Sequence, residues 1–172
     1  MDDIVRAFAT WVETTSLSSF ATGQRWVWPA AETLHFLGMA LLAGTVGAWD
    51  LRLLGLVRAV PPGALRRLLP WGVAGFLLNV ATGVVFFAGA PYQYLYNWAF
   101  HFKLLCIGLA GLNMAAYYVS GLDAAVRTAL PGERLHPRAR LAGGLSLLLW
   151  IAVMYWGRML TFFRPPFVVP PA

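Results

Sequence analysis

The sequence predicts an all-α fold: a four-helix transmembrane bundle preceded by an amphipathic helix lying in the membrane interface. Three observations lead there. Hydrophobic residues make up 59% of the 172 residues and charged residues only 12%, about half the charged share of a soluble domain. Four apolar stretches each reach roughly 20 residues, the length that crosses a hydrocarbon core. The basic residues flank those stretches instead of forming one stripe.

The same figures exclude other classes. Aromatic residues are 15% of the chain, too many for a disordered one. A net charge of +6 could suggest nucleic acid, but cations placed at the ends of apolar runs are how a membrane protein becomes basic, so no nucleic-acid partner is expected. Cys106 is the single cysteine. It excludes an internal disulfide and a cysteine-based zinc site. No Ser/His/Asp set, phosphate loop or carboxylate pair points to hydrolysis.

Residues 1–24 place Ile4, Phe8, Trp11 and Val12 on one helical face. Asp2, Asp3, Arg6 and Glu13 lie elsewhere on the wheel, so this segment reads as the interfacial helix. The transmembrane domain covers 25–164. Its first span runs from about Pro29 to Trp49, with proline at a first helical position. The second runs from about Pro70 to Gly89, the third from about Asn97 to Ser120, and the fourth from about Arg140 to Phe163. Residues 165–172 form a tail.

The connection between spans one and two carries Arg52, Arg58, Arg66 and Arg67. That between spans three and four carries Arg127, Arg134, Arg138 and Arg140. The connection between spans two and three carries none. The basic side is therefore expected to be cytoplasmic, with both termini outside, in a bacterial inner membrane. Tyr92, Tyr94, Tyr96 and Trp98, with Trp26, Trp28 and Trp156, form an aromatic belt on the outer face. Ala40, Gly44 and Ala48, then Ala43 and Gly47, Gly72 and Gly75, and Gly108 and Gly111 suggest close helix approaches.

Polar groups inside a membrane cost roughly 2.5–3.5 kcal/mol per mid-helix charge, so each needs a reason. Counted inward, Glu32, His35, His101, Lys103 and Arg158 all fall within about 9 Å of the outer boundary. Read plainly, Lys103 and Arg158 snorkel to the headgroups, Glu32 neutralises one of them as an intramembrane ion pair, and His101 is interfacial. Read more sharply, His35 and His101 ligate a haem iron from two helices. Gly38 and Gly108 then give the porphyrin clearance, and Arg158 meets a propionate. Lys103 lies about 200° round the helix from His101 and cannot point to the same spot. Asn79 and Thr82 share a face of span two and read as interhelical hydrogen bonds. Asp50 and Arg52 mark the inner end of span one, with Asp50 pairing locally or with the second basic loop.

The run Trp28-Pro29-Ala30-Ala31-Glu32-Thr33-Leu34-His35, followed by Asp50-Leu51-Arg52-Leu53-Leu54-Gly55, resembles the first span of a bacterial family of small four-helix membrane proteins of unknown function. Thr82-Gly83, Asn97 with Phe100 and Lys103, Ala110-Gly111-Leu112-Asn113 and Gly157-Arg158 continue the likeness over about residues 25–160. A more distant likeness is to copper-resistance D membrane domains, cytochrome b561-like proteins and the haem-containing protoporphyrinogen oxidase of bacteria. By that likeness His35 is a haem ligand. Two intramembrane histidines allow at most one haem b. His101 is a less regular part of the family pattern than Lys103, so a haem with Lys103 or nothing opposite His35 is the alternative to bis-histidine ligation.

The expected function is electron transfer by a small haem b protein between quinol, or an external partner, and a second redox partner. The alternatives are a structural or assembly subunit of a larger membrane complex, or a small transporter or metal-handling protein using Glu32 and His35. Expected partners are the lipid bilayer, a quinone or membrane protein, and a second copy of the chain.

Overall fold

The computed structural model describes residues 2–164; the 165–172 tail lies outside them. The described residues form helices and turns without strands: α1 (Asp2–Glu13), α2 (Ser16–Gly23), α3 (Val27–Leu54), α4 (Pro62–Arg66), α5 (Leu69–Gly89), α6 (Pro91–Leu95), α7 (Trp98–Val119), α8 (Leu122–Arg127) and α9 (Pro137–Met159). The four long helices α3, α5, α7 and α9 are each long and apolar enough to cross a bilayer, and their exposed faces carry large apolar side chains such as Leu37, Leu77, Leu105, Leu112 and Leu148. The protein is an all-α, multi-pass membrane protein built on a four-helix bundle.

Local chemistry explains the boundaries. Gly55, at φ +84°, ends α3 in the left-handed region that favours glycine, and its N–H reaches back to Leu51 and Arg52 carbonyls. Asn97 caps α7, its Oδ1 accepting from the Ala99 N–H at 3.0 Å while its Nδ2 donates to the Leu160 carbonyl, also at 3.0 Å. A single fully buried side chain thus joins the start of α7 to the end of α9. His136 caps α9 through Nδ1, which accepts from the Arg138 N–H at 3.2 Å, and Pro137 follows at N1. The fourth span therefore starts three residues before the expected boundary and ends near Met159, not Phe163.

The amino-terminal region is two helices, not one, because Thr15 breaks the run and caps α2 by accepting from the Ser18 N–H. Ala9 and Val12 are buried against the bundle, while Ile4, Phe8 and Trp11 remain exposed. Of the expected apolar face Val12 is buried and Phe8 lies partly against Phe87 of α5, the rings 6.3 Å apart. Ile4 and Trp11 present apolar surface in the manner of an interfacial helix. The Thr10 and Tyr92 hydroxyls, 2.8 Å apart, fasten α1 to α6.

In the bundle α5 packs on α3, α3 on α9, and α9 on α7. The closest approach is α3 with α5 at Gly38 and Gly75. A Cβ on Gly75 would lie 2.6 Å from the Gly38 carbonyl oxygen, and one on Gly38 would lie 2.8 Å from that of Gly75. Gly72 meets Thr45 and Val46 in the same seam, and Gly143 meets Leu53 in the α3–α9 seam. By contrast Gly44, Gly47, Gly108 and Gly111 have no such neighbours. The expected approaches through Gly44, Gly47, Gly108 and Gly111 are therefore corrected: those residues lie off the seams, and only the Gly72/Gly75 pair is in one.

The densest core lies at the basic end, where Trp49, Leu53, Tyr117, Val126, Leu135 and Ala139 cluster. Asp123 of α8 is paired with both Arg66 of α4 and Arg127 of its own helix. Arg52 is fully buried and donates to the carbonyls of Val60, at 2.9 Å, and Leu130, at 3.4 Å. The two basic connections are thus one knotted cap, fastened further by the Gly132 N–H on the Arg58 carbonyl.

Candidate functional site

His35 sits on the inner face of α3, two turns from its start, half-buried in line with Ala31, Gly38 and Leu42. Its Nδ1 is 2.7 Å from the hydroxyl of Thr82 on α5. That hydroxyl has one proton. The Leu78 carbonyl, 2.8 Å away along the same helix, lies within its reach, as does His35 Nδ1, so the ring tautomer sets the direction of the bond. With the hydroxyl turned to the carbonyl, Thr82 accepts from the Nδ1–H and the Nε2 lone pair is left available. This is the arrangement in which a second partner fixes the tautomer and orientation of a ligating histidine. Phe86, one turn beyond Thr82, meets the imidazole edge-on at 5.5 Å.

Asn79, one turn the other way, donates to the Gly75 carbonyl at 3.0 Å, and its buried Oδ1 has no partner among the described residues. Lys103 of α7 points into the bundle and lies over Gly157 of α9, whose Cβ, if present, would be 3.7 Å from Nζ. The ammonium forms no ion pair among the described residues. Aromatic rings close the outer end between α5 and α7: Phe87 lies 6.2 Å from Phe100 and Tyr94 5.2 Å from Phe100. Burial of the Tyr94 phenol outside the spans pushes its pKa up to about 12.

The structure therefore brings together His35, Thr82, Asn79 and Phe86 in the half of the bundle away from the basic connections, with Lys103 turned inward from α7 over Gly157. It does not bring in the other expected members. His101 is exposed, because the 200° that separates it from inward-facing Lys103 turns it outward. Arg158 falls in the last turn of α9, is exposed, and lies 5.7 Å over the Phe162 ring. Glu32 is exposed and accepts from the Trp28 indole N–H at 3.3 Å. Among the described residues no ion pair joins it to Lys103 or Arg158, so the expected intramembrane pair is corrected: a side chain facing outward at the interface keeps its water and needs no buried counter-ion.

These positions test the expected haem geometry. A porphyrin held between His35 and His101 does not fit, since the second imidazole points away from the first. Gly38 gives it no clearance, because Asn79 and Gly75 already occupy the space a Cβ would need. Gly108 is exposed with no neighbour within 4 Å, so it borders no slot either. Of the two expected donors, His35 is the one the bundle holds inward, hydrogen-bonded to Thr82. Among the described residues no three His, Cys, Asp or Glu side chains converge as a metal cage.

Two other groups carry more than their spacing along the chain suggests. Thr82 reads as helix glue from its spacing, and nothing local ties it to a histidine 47 positions earlier. Asp50 is 2% exposed, and one of its carboxylate oxygens has no hydrogen-bond partner among the described residues. Neither Arg52 nor the second basic loop pairs with it, so that expected pairing is also corrected. Arg52 instead turns toward loop carbonyls near the end of α3, where the helix's own partial negative charge favours a cation. Compared with known proteins, the chain matches no family model, no curated protein and no solved structure.

Proposed function

We propose that this multi-pass membrane protein is a single-histidine haem b protein of the bacterial inner membrane, exchanging electrons with quinol or an external partner. The observation that carries the reading is the Thr82–His35 hydrogen bond, which holds a half-buried imidazole on the inner face of α3. The distant likeness of the chain to small four-helix membrane families with a histidine in an early span supports the same ligand. Bound haem b supplies one-electron exchange at iron. The chain's part is to bind and orient. His35 presents Nε2, Thr82 keeps the proton on Nδ1, Phe86 limits rotation of the ring, and Lys103 takes the role expected of Arg158 as the cation for a propionate.

Protein expressed with haem supplied is expected to purify with a Soret band. His35→Ala should abolish it, Thr82→Val should shift or weaken it, and His101→Ala should leave it in place. Colourless wild-type protein, or a spectrum untouched by His35→Ala, would sink the reading in favour of a colourless assembly subunit.

The proposal places the basic cap in the cytoplasm and His35 near the outer surface. A reporter active only in the cytoplasm, fused at the carboxyl terminus, should be silent. Activity there would reverse the topology.

A further inference from the structure

At the basic end, a groove of about 350 Å³ opens on the side of the bundle between the end of α3 and the start of α9. That volume lies within the range of roughly 300–1,000 Å³ typical of small-molecule sites. Its walls are Leu54, Leu141, Leu145 and Leu148, its floor is Gly144, and Arg140 stands at its mouth. Leu141, Gly144, Leu145 and Leu148 recur at helical spacing, so they form one stripe along α9. A Cβ on Gly144 would come within 3.3 Å of the Leu54 side chain, which shows how the absent side chain makes the depth.

We propose that this groove binds one phospholipid with an anionic headgroup. Charge and length both select it. From Pro137 to Leu148 the helix rises about 16 Å, and half of a hydrocarbon core is about 15 Å. The groove thus runs from the membrane surface to the midplane, the reach of one acyl chain of one leaflet. Its only cation sits at the surface end. Arg140 spends Nε on the Leu54 carbonyl at 3.3 Å, a bond that fixes the guanidinium over the groove. Its two terminal nitrogens make no hydrogen bond among the described residues, and their fork suits a phosphate. Arg138 and the amino-terminal end of α9 add positive potential at the same level. A zwitterionic lipid would fill the apolar part equally well but gain less at the mouth.

The test is native mass spectrometry of the full chain in detergent, titrated with phosphatidylglycerol or with phosphatidylcholine. One phosphatidylglycerol should be retained in preference to phosphatidylcholine. Arg140→Gln should weaken its retention about fivefold, the share one arginine supplies at an anionic surface. Gly144→Leu, which fills the floor, should weaken both lipids. Arg67→Gln removes an equal charge from an exposed position at the same end and should change nothing. Equal retention of the two lipids would overturn the proposal. So would equal losses from Arg140→Gln and Arg67→Gln, which would mean a diffuse basic surface. Each variant's melting temperature is recorded alongside, and Arg140, being exposed, can be replaced without opening the core.

Discussion

Gly75→Ala is expected to lower the apparent melting temperature in detergent by several degrees, while Gly108→Ala leaves it unchanged. The two substitutions are chemically identical and both lie in long helices, so helix propensity would favour both. They differ in what the new methyl group meets. At Gly75 it would sit 2.6 Å from the Gly38 carbonyl oxygen and 2.9 Å from the Leu42 amide nitrogen. Both atoms are backbone, so no side-chain rotation relieves the clash, and α3 and α5 must separate. Overpacking of this kind costs typically about 1–3 kcal/mol, or roughly 2–10 °C for a chain of this size. Separation also moves Thr82 away from His35, so Gly75→Ala should weaken any Soret band that His35 supports. At Gly108 the methyl group enters open space. Equal melting temperatures for the two variants would show that the α3–α5 seam is not as close as Gly38 and Gly75 place it.

Arg52→Ala should destabilise the protein by about 3 kcal/mol, the middle of the range for emptying a large buried side chain, and should loosen the basic end in particular. Arg52 is fully buried. Its guanidinium ties the end of α3 to both connections, by way of the Val60 and Leu130 carbonyls. Without it both acceptors lose their buried donor. Limited trypsin digestion should then cut faster after Arg58 and Arg134, which lie in those connections. Arg52→Lys should rescue little, because a single ammonium cannot hold two carbonyls in the fixed geometry of a guanidinium fork. Cleavage and melting unchanged by Arg52→Ala would remove the strap from the account.

The membrane class and the four spans were legible in the sequence because they depend on composition and local periodicity. Twenty apolar residues in a row have few other places to go, and proline, glycine, asparagine and histidine set helix ends through contacts only a few residues away. His35 was also legible, as a polar group inside a span. What it touches was not. Its partner Thr82 is distant in sequence, and which faces of α3 and α5 meet depends on the Gly38–Gly75 approach, where two backbones come together because neither has a side chain. Gly38 and Gly108 look alike along the chain, yet one is in a seam and the other opens outward. Likewise His101 and Lys103 are two residues apart, and the rotation of α7 against α9 turns one out and the other in. Depth in the membrane can be counted from the sequence because helical rise is constant. Azimuth cannot, because it is chosen by packing across helices whose exposed faces are nearly as apolar as their buried ones. In lipid that leaves hydrophobicity almost no power to say which side faces in.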